Sequence, residues 1–520
     1  MSRSIFRSLW IASVASNMGT WMHDVGAAWL MTSLAPSPFM VSLVQVAMSF
    51  PLFVLAIPSG ALADVLDRRR LLLLTQGWKL VAAAGLAVCT ALGEVSPVLL
   101  LAFTMALGIG MAFNAPAWQA IVPELVPREE LPAAVAINSA GINVSRAVGP
   151  ALGGLIVAAA GPQAAFGLNA LSFIGVFIVL YRWPREKPPR ALPPEHLFGA
   201  MIAGLRYARH APGFRNVLGR SLLFVFPASA LWALLPLVAR QDLGMSASGY
   251  GVLLGAVGVG ALTGAYFLPL LRRKLSVDLL TGLAAVGYSL ALLALAVTRS
   301  IPLLLLVMFL SGATWLTMLS SLNVGAQSVA AGWVRARAMS VYLIVFFGSM
   351  ALGSLAWGAL ANALTMTPVI AMASLATLLG IAANKRLTLT AVEGLDLSPS
   401  LHWPAPDLHL PLEGDSGPVM ITVEYKIDPS RAEEFRSVMH KLRSSRLRDG
   451  AMQWNLFQDS TVPGRYLECF LVDSWLEHLR QHERVTATDR ALQDQVRNFH
   501  RGASDPVVSH FVSERTDSGR

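Results

Sequence analysis

The chain has 520 residues, of which 54% are hydrophobic and only 14% charged, with a net charge of +9. A soluble domain carries about 25% charged residues, so this composition excludes an ordinary soluble protein. The basic residues fall in short clusters between apolar runs rather than on one face, which excludes a nucleic-acid binder, and two cysteines, Cys89 and Cys469, exclude a disulfide framework.

Apolar character is confined to residues 1–386, while 387–520 have the composition of a soluble sequence. A spanning helix needs about 20 mostly apolar residues. Twelve stretches qualify, near 8–33, 40–63, 71–93, 97–121, 133–159, 163–183, 215–240, 249–271, 276–298, 302–325, 337–361 and 365–385. The first has no small-residue cleavage site and reads as a retained helix, not a signal peptide. One set of connections carries Arg3 and Arg7, Arg68 to Arg70, Arg128, the stretch from Arg182 to Arg215, Arg272 to Lys274, Arg335 and Arg337, and Lys385 and Arg386. The alternate set carries only Arg240 and Arg299. Lys and Arg collect on the cytoplasmic side, so both termini are expected there, in a bacterial inner membrane.

Residues 184–214 are charged and proline-rich and divide a bundle at 1–183 from a second at 215–386. The second half echoes the first. Gln119, Arg128 and the glycines 141, 149 and 153 are answered by Gln327, Arg335, Arg337 and the glycines 348, 353 and 358. Two such halves about a pseudo-two-fold axis are what rocking transporters use. Residues 387–418 read as a linker. The tail, 419–513, then gives a strand at 419–427, an amphipathic helix capped by Asp428, two strands at 451–458 and 465–472, two short helices and a last strand at 507–512. That order predicts a small α+β domain of ferredoxin-like kind.

Three groups carry mechanism. Gly60-Ala-Leu-Ala-Asp64-Val-Leu-Asp67-Arg68-Arg69-Arg70, between the second and third spans, places an acid and a basic turn at a helix end, suited to a gating latch. Gly149-Pro150-Ala-Leu-Gly153-Gly154 puts a kink and close-packing glycines in the fifth span. Ionisable residues inside the bilayer are costly and mark function by default. Asp24 lies beside His23 in the first span, Arg146 in the fifth, and Lys79 in the third, near enough to the edge to snorkel. Asp24 and Arg146 differ in depth by only about 5 Å at the helical rise. They are candidates for a proton-carrying carboxyl and its partner, since burial and a neighbouring cation act on a carboxyl in opposite directions. A fixed ion pair that orients two helices is the alternative. Candidate cavity residues are Asn17, Trp21, His23, Asn114, Trp118, Trp232, Trp315 and Asn323, a set suited to a large apolar or aromatic solute, though each tryptophan also fits packing or the interfacial belt.

The Gly60–Arg70 loop resembles the G-x-L-x-D-r-x-G-r-r signature of the major facilitator superfamily, departing from it at Val65 and Asp67, and Gly149–Gly154 resembles its exporter motif. With Trp10 to Trp29, Gln119 to Pro127, Asn143 to Pro150 and Leu447 to Trp454, the whole chain resembles the transmembrane secretion effector group, related to enterobactin-type siderophore exporters. The resemblance implies an all-α, twelve-helix transporter of six plus six spans that exports a small molecule against protons. The tail is similar to antibiotic-biosynthesis monooxygenase domains, which are dimeric α+β barrels. That implies homodimerisation through the tail and raises a rival reading, an anchored enzyme or sensor. His478 and His482 share a helix face with Trp475 nearby, and Trp454 and Asn455 stand on a strand. No third metal ligand has a convincing spacing. No metal, cofactor or catalytic group is expected, and no P-loop sequence is present to use ATP directly.

Overall fold

The computed structural model describes residues 2–183, 197–384, 386–389, 396–400, 402–403 and 416–513. Helices α1 (Ser2–Leu34), α2 (Pro38–Val65), α3 (Arg68–Ala91), α4 (Pro97–Leu125), α5 (Leu131–Ala160) and α6 (Pro162–Arg182) form the first half. Helix α7 (Leu197–His210) follows, within the stretch read as a linker, of which 184–196 lie outside the described residues. Helices α8 (Pro212–Leu237), α9 (Ala247–Lys274), α10 (Val277–Val297), α11 (Ile301–Ser328), α12 (Arg335–Ala363) and α13 (Met366–Asn384) form the second half. Several starts are set locally: Ser37, Asp67, Ser96 and Ser276 each cap the helix that follows through a side-chain oxygen.

Among the described residues, eleven helices are long and apolar enough to cross a membrane, one fewer than the twelve expected. The exception is α1. It is long enough, at 33 residues, but Ser13, Ser16, Asn17, Thr20, His23 and Asp24 dilute its apolar character. Hydrogen bonds tie it to α5. Ser145 of α5 donates to the Val14 carbonyl (3.1 Å), and the Trp10 indole donates to the Ile137 carbonyl (3.0 Å). Glycines let the neighbours approach. A Cβ at Gly19 would lie 2.7 Å from Ser172 Oγ of α6, and Cβ atoms at Gly149 and Gly153 would lie 2.7 Å from Trp21 and Met22.

The chain divides into two compact units. One comprises Met1–Glu195, Leu218–Val324 and Ser340–Thr390; within it the halves meet along α5 and α9. There the backbones nearly touch: a Cβ at Gly154 would lie 2.7 Å from Gly251 Cα, and one at Gly258 would lie 2.3 Å from Ala147 Cα. The glycines of the exporter-like motif thus form a three-helix crossing of α1, α5 and α9.

The other unit comprises His196–Val217, Gly325–Met339 and Ala391–Arg520. Its centre is an antiparallel sheet of β1 (Val419–Lys426), β2 (Gln453–Gln458), β3 (Arg465–Val472) and β4 (Val507–Val512), in the order β2-β3-β1-β4. Helices α14 (Ala432–Asp449), α15 (Trp475–Arg484) and α16 (Ala487–Arg497) complete it. Ile421, Val423 and Tyr425 alternate inward from β1 and pack with Phe435, Met439 and Leu442 of α14, Tyr466 and Phe470 of β3 and Trp475. The core also buries Glu468, which accepts from Arg446 (3.0 Å), the Trp454 indole (2.9 Å) and the Tyr425 hydroxyl (3.1 Å).

Overpacking a filled contact costs about 1–3 kcal/mol. Gly258→Val is therefore expected to lower the melting temperature of the detergent-solubilised protein, whereas Gly282→Ala, where a Cβ meets nothing within 4 Å, should leave it unchanged. Equal melting temperatures for both variants would show that the α5–α9 crossing is not tight.

Candidate functional site

The Gly60–Arg70 loop is built by helix ends. Asp67, which stands where the superfamily signature has glycine, is the N-cap of α3 and accepts from the Arg70 amide (3.0 Å). Arg68 pairs with Glu124 at the end of α4 (2.8 Å). Arg69 donates to the Leu180 carbonyl (2.8 Å) and to that of Tyr181, so a cation sits on the negative end of the α6 dipole. A Cβ at Gly60 would reach only Ser340 Oγ of α12, at 3.8 Å. The side chain of Asp64 lies outside the described residues. Arg240, which follows α8, ties the halves together. It lies 5.3 Å from the Trp29 ring centroid and donates to Thr32 (2.9 Å) and Ser33 of α1.

A cavity lies inside the first half. Thr20, His23 and Asp24 of α1 line it with Met48 of α2, Lys79 of α3, Thr104, Leu107, Gly108 and Met111 of α4, and Asn169 and Phe173 of α6. Lys79 does not snorkel. It is buried, with its ammonium 4.6 Å over the Phe173 ring. A Cβ at Gly110 would lie 2.6 Å from its stem, so glycine is what makes room for it. Both ring nitrogens of His23 and the Asn169 Oδ1 are buried with no hydrogen-bond partner among the described residues. His23 instead packs on Phe166 at 4.6 Å between ring centroids. Asp24 and Lys79 therefore share one mostly apolar chamber, and among the described residues neither forms an ion pair. The free space in it admits about one water molecule and not a solute.

Arg146 is not joined to Asp24 by an ion pair; its guanidinium lies 5.8 Å over the Trp21 ring. On the other side of α1, Tyr250 of α9 is in electrostatic reach of Asp24 and stacks on Trp29 at 6.0 Å. The other candidate cavity residues stand elsewhere. Asn114 accepts from Thr75 (3.3 Å) and Gln76 (3.1 Å), which ties α4 to α3. Trp118 packs on a cluster with Leu9, Leu72 and Leu180. Trp232 and Trp315 lie 5.7 Å apart in an aromatic cluster with Phe224, Tyr288 and Phe346. Asn17 and Asn323 are half-buried on α1 and α11. Sequence reasoning passed over Arg220 of α8, a buried cation that pairs with Asp278 of α10.

In the C-terminal sheet domain, His478 and His482 approach within 3.3 Å through their Nε2 atoms. His510 of β4 joins them, 4.7 Å from the His478 ring, and Trp475 and Trp403 wall the cluster. Among the described residues, no three His, Cys, Asp or Glu side chains are arranged to hold a metal ion. Trp454 is committed to Glu468, and Asn455 is exposed on the sheet. Burial, helped by His482 and His510, holds His478 down to about 3, and burial, helped by His510 and His402, holds His482 down to about 4. The unfolded chain takes up these protons near 6.5, so the folded domain binds fewer of them below that pH. This contribution is fully present above about 6.5 and is lost as pH falls towards 4. The melting temperature of the domain in the full chain should fall over this window, with a shallower slope in His478→Gln; identical slopes would contradict the assignment.

The chain matches the family model described as transmembrane secretion effector over residues 1–518. It is 30% identical over 322 residues to the enterobactin exporter EntS of Escherichia coli O1:K1 / APEC, covering 61% of this chain and 75% of that protein. EntS of Citrobacter koseri gives the same values, and that of Shigella boydii serotype 4 is 29% identical. Among solved structures, a bacterial homologue of the human lysosomal transporter Spinster, in an inward-facing and unoccupied conformation, gives a TM-score of 0.59 at 15% identity, covering 75% of this chain and 97% of that one. A POT family transporter with a thioalcohol-conjugated peptide gives 0.60 at 12%, covering 74% and 96%. The structural likenesses carry the fold alone. The family match and the EntS identity establish that this chain is a multi-pass major facilitator transporter belonging to the transmembrane secretion effector family.

Proposed function

We propose that this chain is a proton-coupled exporter of a siderophore-like or drug-like small molecule, working by alternating access in a bacterial inner membrane. The observation that carries the coupling is the shared chamber of Asp24 and Lys79. Asp24 is the proton carrier, and Lys79 takes the place at its side that sequence depth had suggested for Arg146. A carboxyl and an amine in one low-dielectric chamber cannot both change charge freely; the state of each biases the other. Protonation of Asp24 then changes the cost of exposing the chamber to one side or the other, the kind of differential free energy that a ligand-driven switch requires. The export direction and the siderophore class rest on the likeness to EntS and on Gly149 to Gly154. The α5–α9 crossing supplies a close contact of glycines and alanines about which two halves can rock. With α1 counted as a span, twelve spans bring both termini to the cytoplasm, as the Arg and Lys distribution favours.

Inverted vesicles carrying the protein should take up enterobactin when the interior is acidified, and an ionophore should abolish the uptake. Asp24→Asn should reduce uptake to the level of empty vesicles, Lys79→Met should alter its pH dependence, and Arg146→Met should leave that dependence in place. Uptake that is unchanged in Asp24→Asn would reject Asp24 as the carrier. Uptake that ignores the ionophore would reject proton coupling.

The soluble domain is proposed to pair two copies of the chain. Its strand order supports the ferredoxin-like reading. The sheet face away from α14 leaves Met420, Phe457, Leu467, Val507 and Phe511 exposed, an apolar stripe across all four strands. Light scattering of the solubilised protein should report a dimer that Phe457→Asp with Phe511→Asp converts to a monomer; a monomeric wild type would exclude this.

A further inference from the structure

The soluble domain, α7 and the segment between α11 and α12 belong to one compact unit, and specific contacts bind them. Tyr207 of α7 is buried, and its hydroxyl donates to the Val329 carbonyl (2.6 Å) and accepts from the Ala331 amide (3.2 Å). It therefore satisfies two backbone groups in a stretch with no helix of its own, where Ala330, Ala331 and Val334 are buried. The Tyr207 ring meets Trp333 of that stretch edge-on at 6.0 Å. Gly204 brings α7 against the first turn of α12, where a Cβ would lie 3.1 Å from the Arg337 side chain.

The soluble domain closes over this arrangement with charge. Glu477 of α15 accepts from Arg206 of α7 (3.1 Å) and from Arg484 (2.5 Å). Arg484 also donates to the Asp449 carbonyl (2.7 Å), and its guanidinium lies 4.5 Å over the Trp333 ring. Gly450, at φ +143°, makes the close approach; a Cβ there would lie 3.0 Å from Glu477 Oε1 and 3.1 Å from Arg484 Nη1. From α14, Arg448 lies 6.0 Å over the Tyr207 ring and is itself held by Asp449 and Asp489. Glu477, Arg484 and Arg206 are each at most about one-fifth exposed, so these are not the weak pairs of an open surface.

We propose that Glu477 and Arg484 are positioning residues of the transporter. Through them the soluble domain fixes the 325–339 segment against α7, and turnover depends on that docking. The segment joins α11 to α12 and α7 leads into α8, so three helices of the second half receive their ends from the docked unit. A connection held in one shape moves its helices together. A loosened one lets them move separately, and the cycle slows. The soluble domain is on this account a part of the transport machine and not a passenger.

The test uses the full-length protein, with Glu477→Gln, Trp333→Ala and the conservative Trp333→Phe, which keeps a ring beneath Arg484. Trypsin cleavage after Arg335 and Arg337 reports the segment without any substrate. Loss of one hydrogen bond to a charged group should speed cleavage in Glu477→Gln about tenfold. Loss of the ring under the guanidinium should speed it about threefold in Trp333→Ala, with Trp333→Phe near wild type. In vesicles, the maximal rate of enterobactin uptake should fall in Glu477→Gln and Trp333→Ala while half-saturation stays constant, and Trp333→Phe should restore it. Wild-type cleavage in Glu477→Gln overturns the docking. Faster cleavage with an unchanged maximal rate overturns the positioning role. This inference rests on the export reading only for its uptake arm. If wild type moves no enterobactin, that substrate class fails separately, and cleavage in Glu477→Gln decides the docking.

Discussion

A helix carrying a carboxylic acid, an imidazole and a run of hydroxyls and amides cannot stand against lipid, and the first unit is arranged around that constraint. Helix α1 has to be sheathed by protein, and α5 and α6 do the sheathing at distances that only glycine permits. Gly149 and Gly153 admit Trp21 and Met22 on one side, and Gly19 admits α6 on the other. The neighbouring Gly154 turns to Gly251 and joins the halves. The same three-helix crossing therefore holds the acid-bearing helix in place and forms the contact between halves. On the proposed reading, a motion of α5 against α9 would be felt by α1, because the glycine contacts leave little slack among the three helices.

The chamber and the two helix-end clusters are linked through α1 and its neighbours. At one end Arg68 and Arg69 fasten α3 to α4 and α6, all within the first half. At the other, Arg240 and Tyr250 of the second half meet Trp29, Thr32 and Ser33 of α1. Asp24 lies between, with Lys79 on its chamber side and Tyr250 in electrostatic reach across the halves. On the proposed reading, a change of charge at Asp24 would bear both on the first half and on the contact between halves. The second half handles its own buried cation differently, since Arg220 is neutralised by Asp278. On the proposed reading, that asymmetry leaves the first half as the place where charge can change.

Much of this was legible beforehand, for identifiable reasons. Apolar runs report the bilayer directly, so the order of helices followed from them, and alternation in the tail gave its strands. The first helix differed because its polar residues erode the very signal that marks a span. Asp67 looked like a defect in a signature and is an N-cap, a role visible in the Asp-Arg-Arg-Arg sequence once the helix start is placed. Lys79 was set aside as a snorkelling residue, although it stands eleven residues from the first residue of α3, about 16 Å at the helical rise and well inside the helix. Depth alone could not choose between Lys79 and Arg146 as the neighbour of Asp24, because depth says nothing about which face of α1 each helix meets. The docking of the soluble domain had no sequence signal; Glu477, Arg484 and Arg206 read as ordinary surface charges until the fold brings them together.

The proposed coupling depends on Asp24 being a carboxyl that gains and loses a proton in a chamber shared with Lys79. Infrared difference spectroscopy of the reconstituted protein, recorded across steps in pH, observes such a carboxyl directly. The prediction is a protonation signal that disappears in Asp24→Asn and whose midpoint moves in Lys79→Met but not in Arg146→Met. A signal that survives Asp24→Asn, or one that moves only with Arg146, would contradict it.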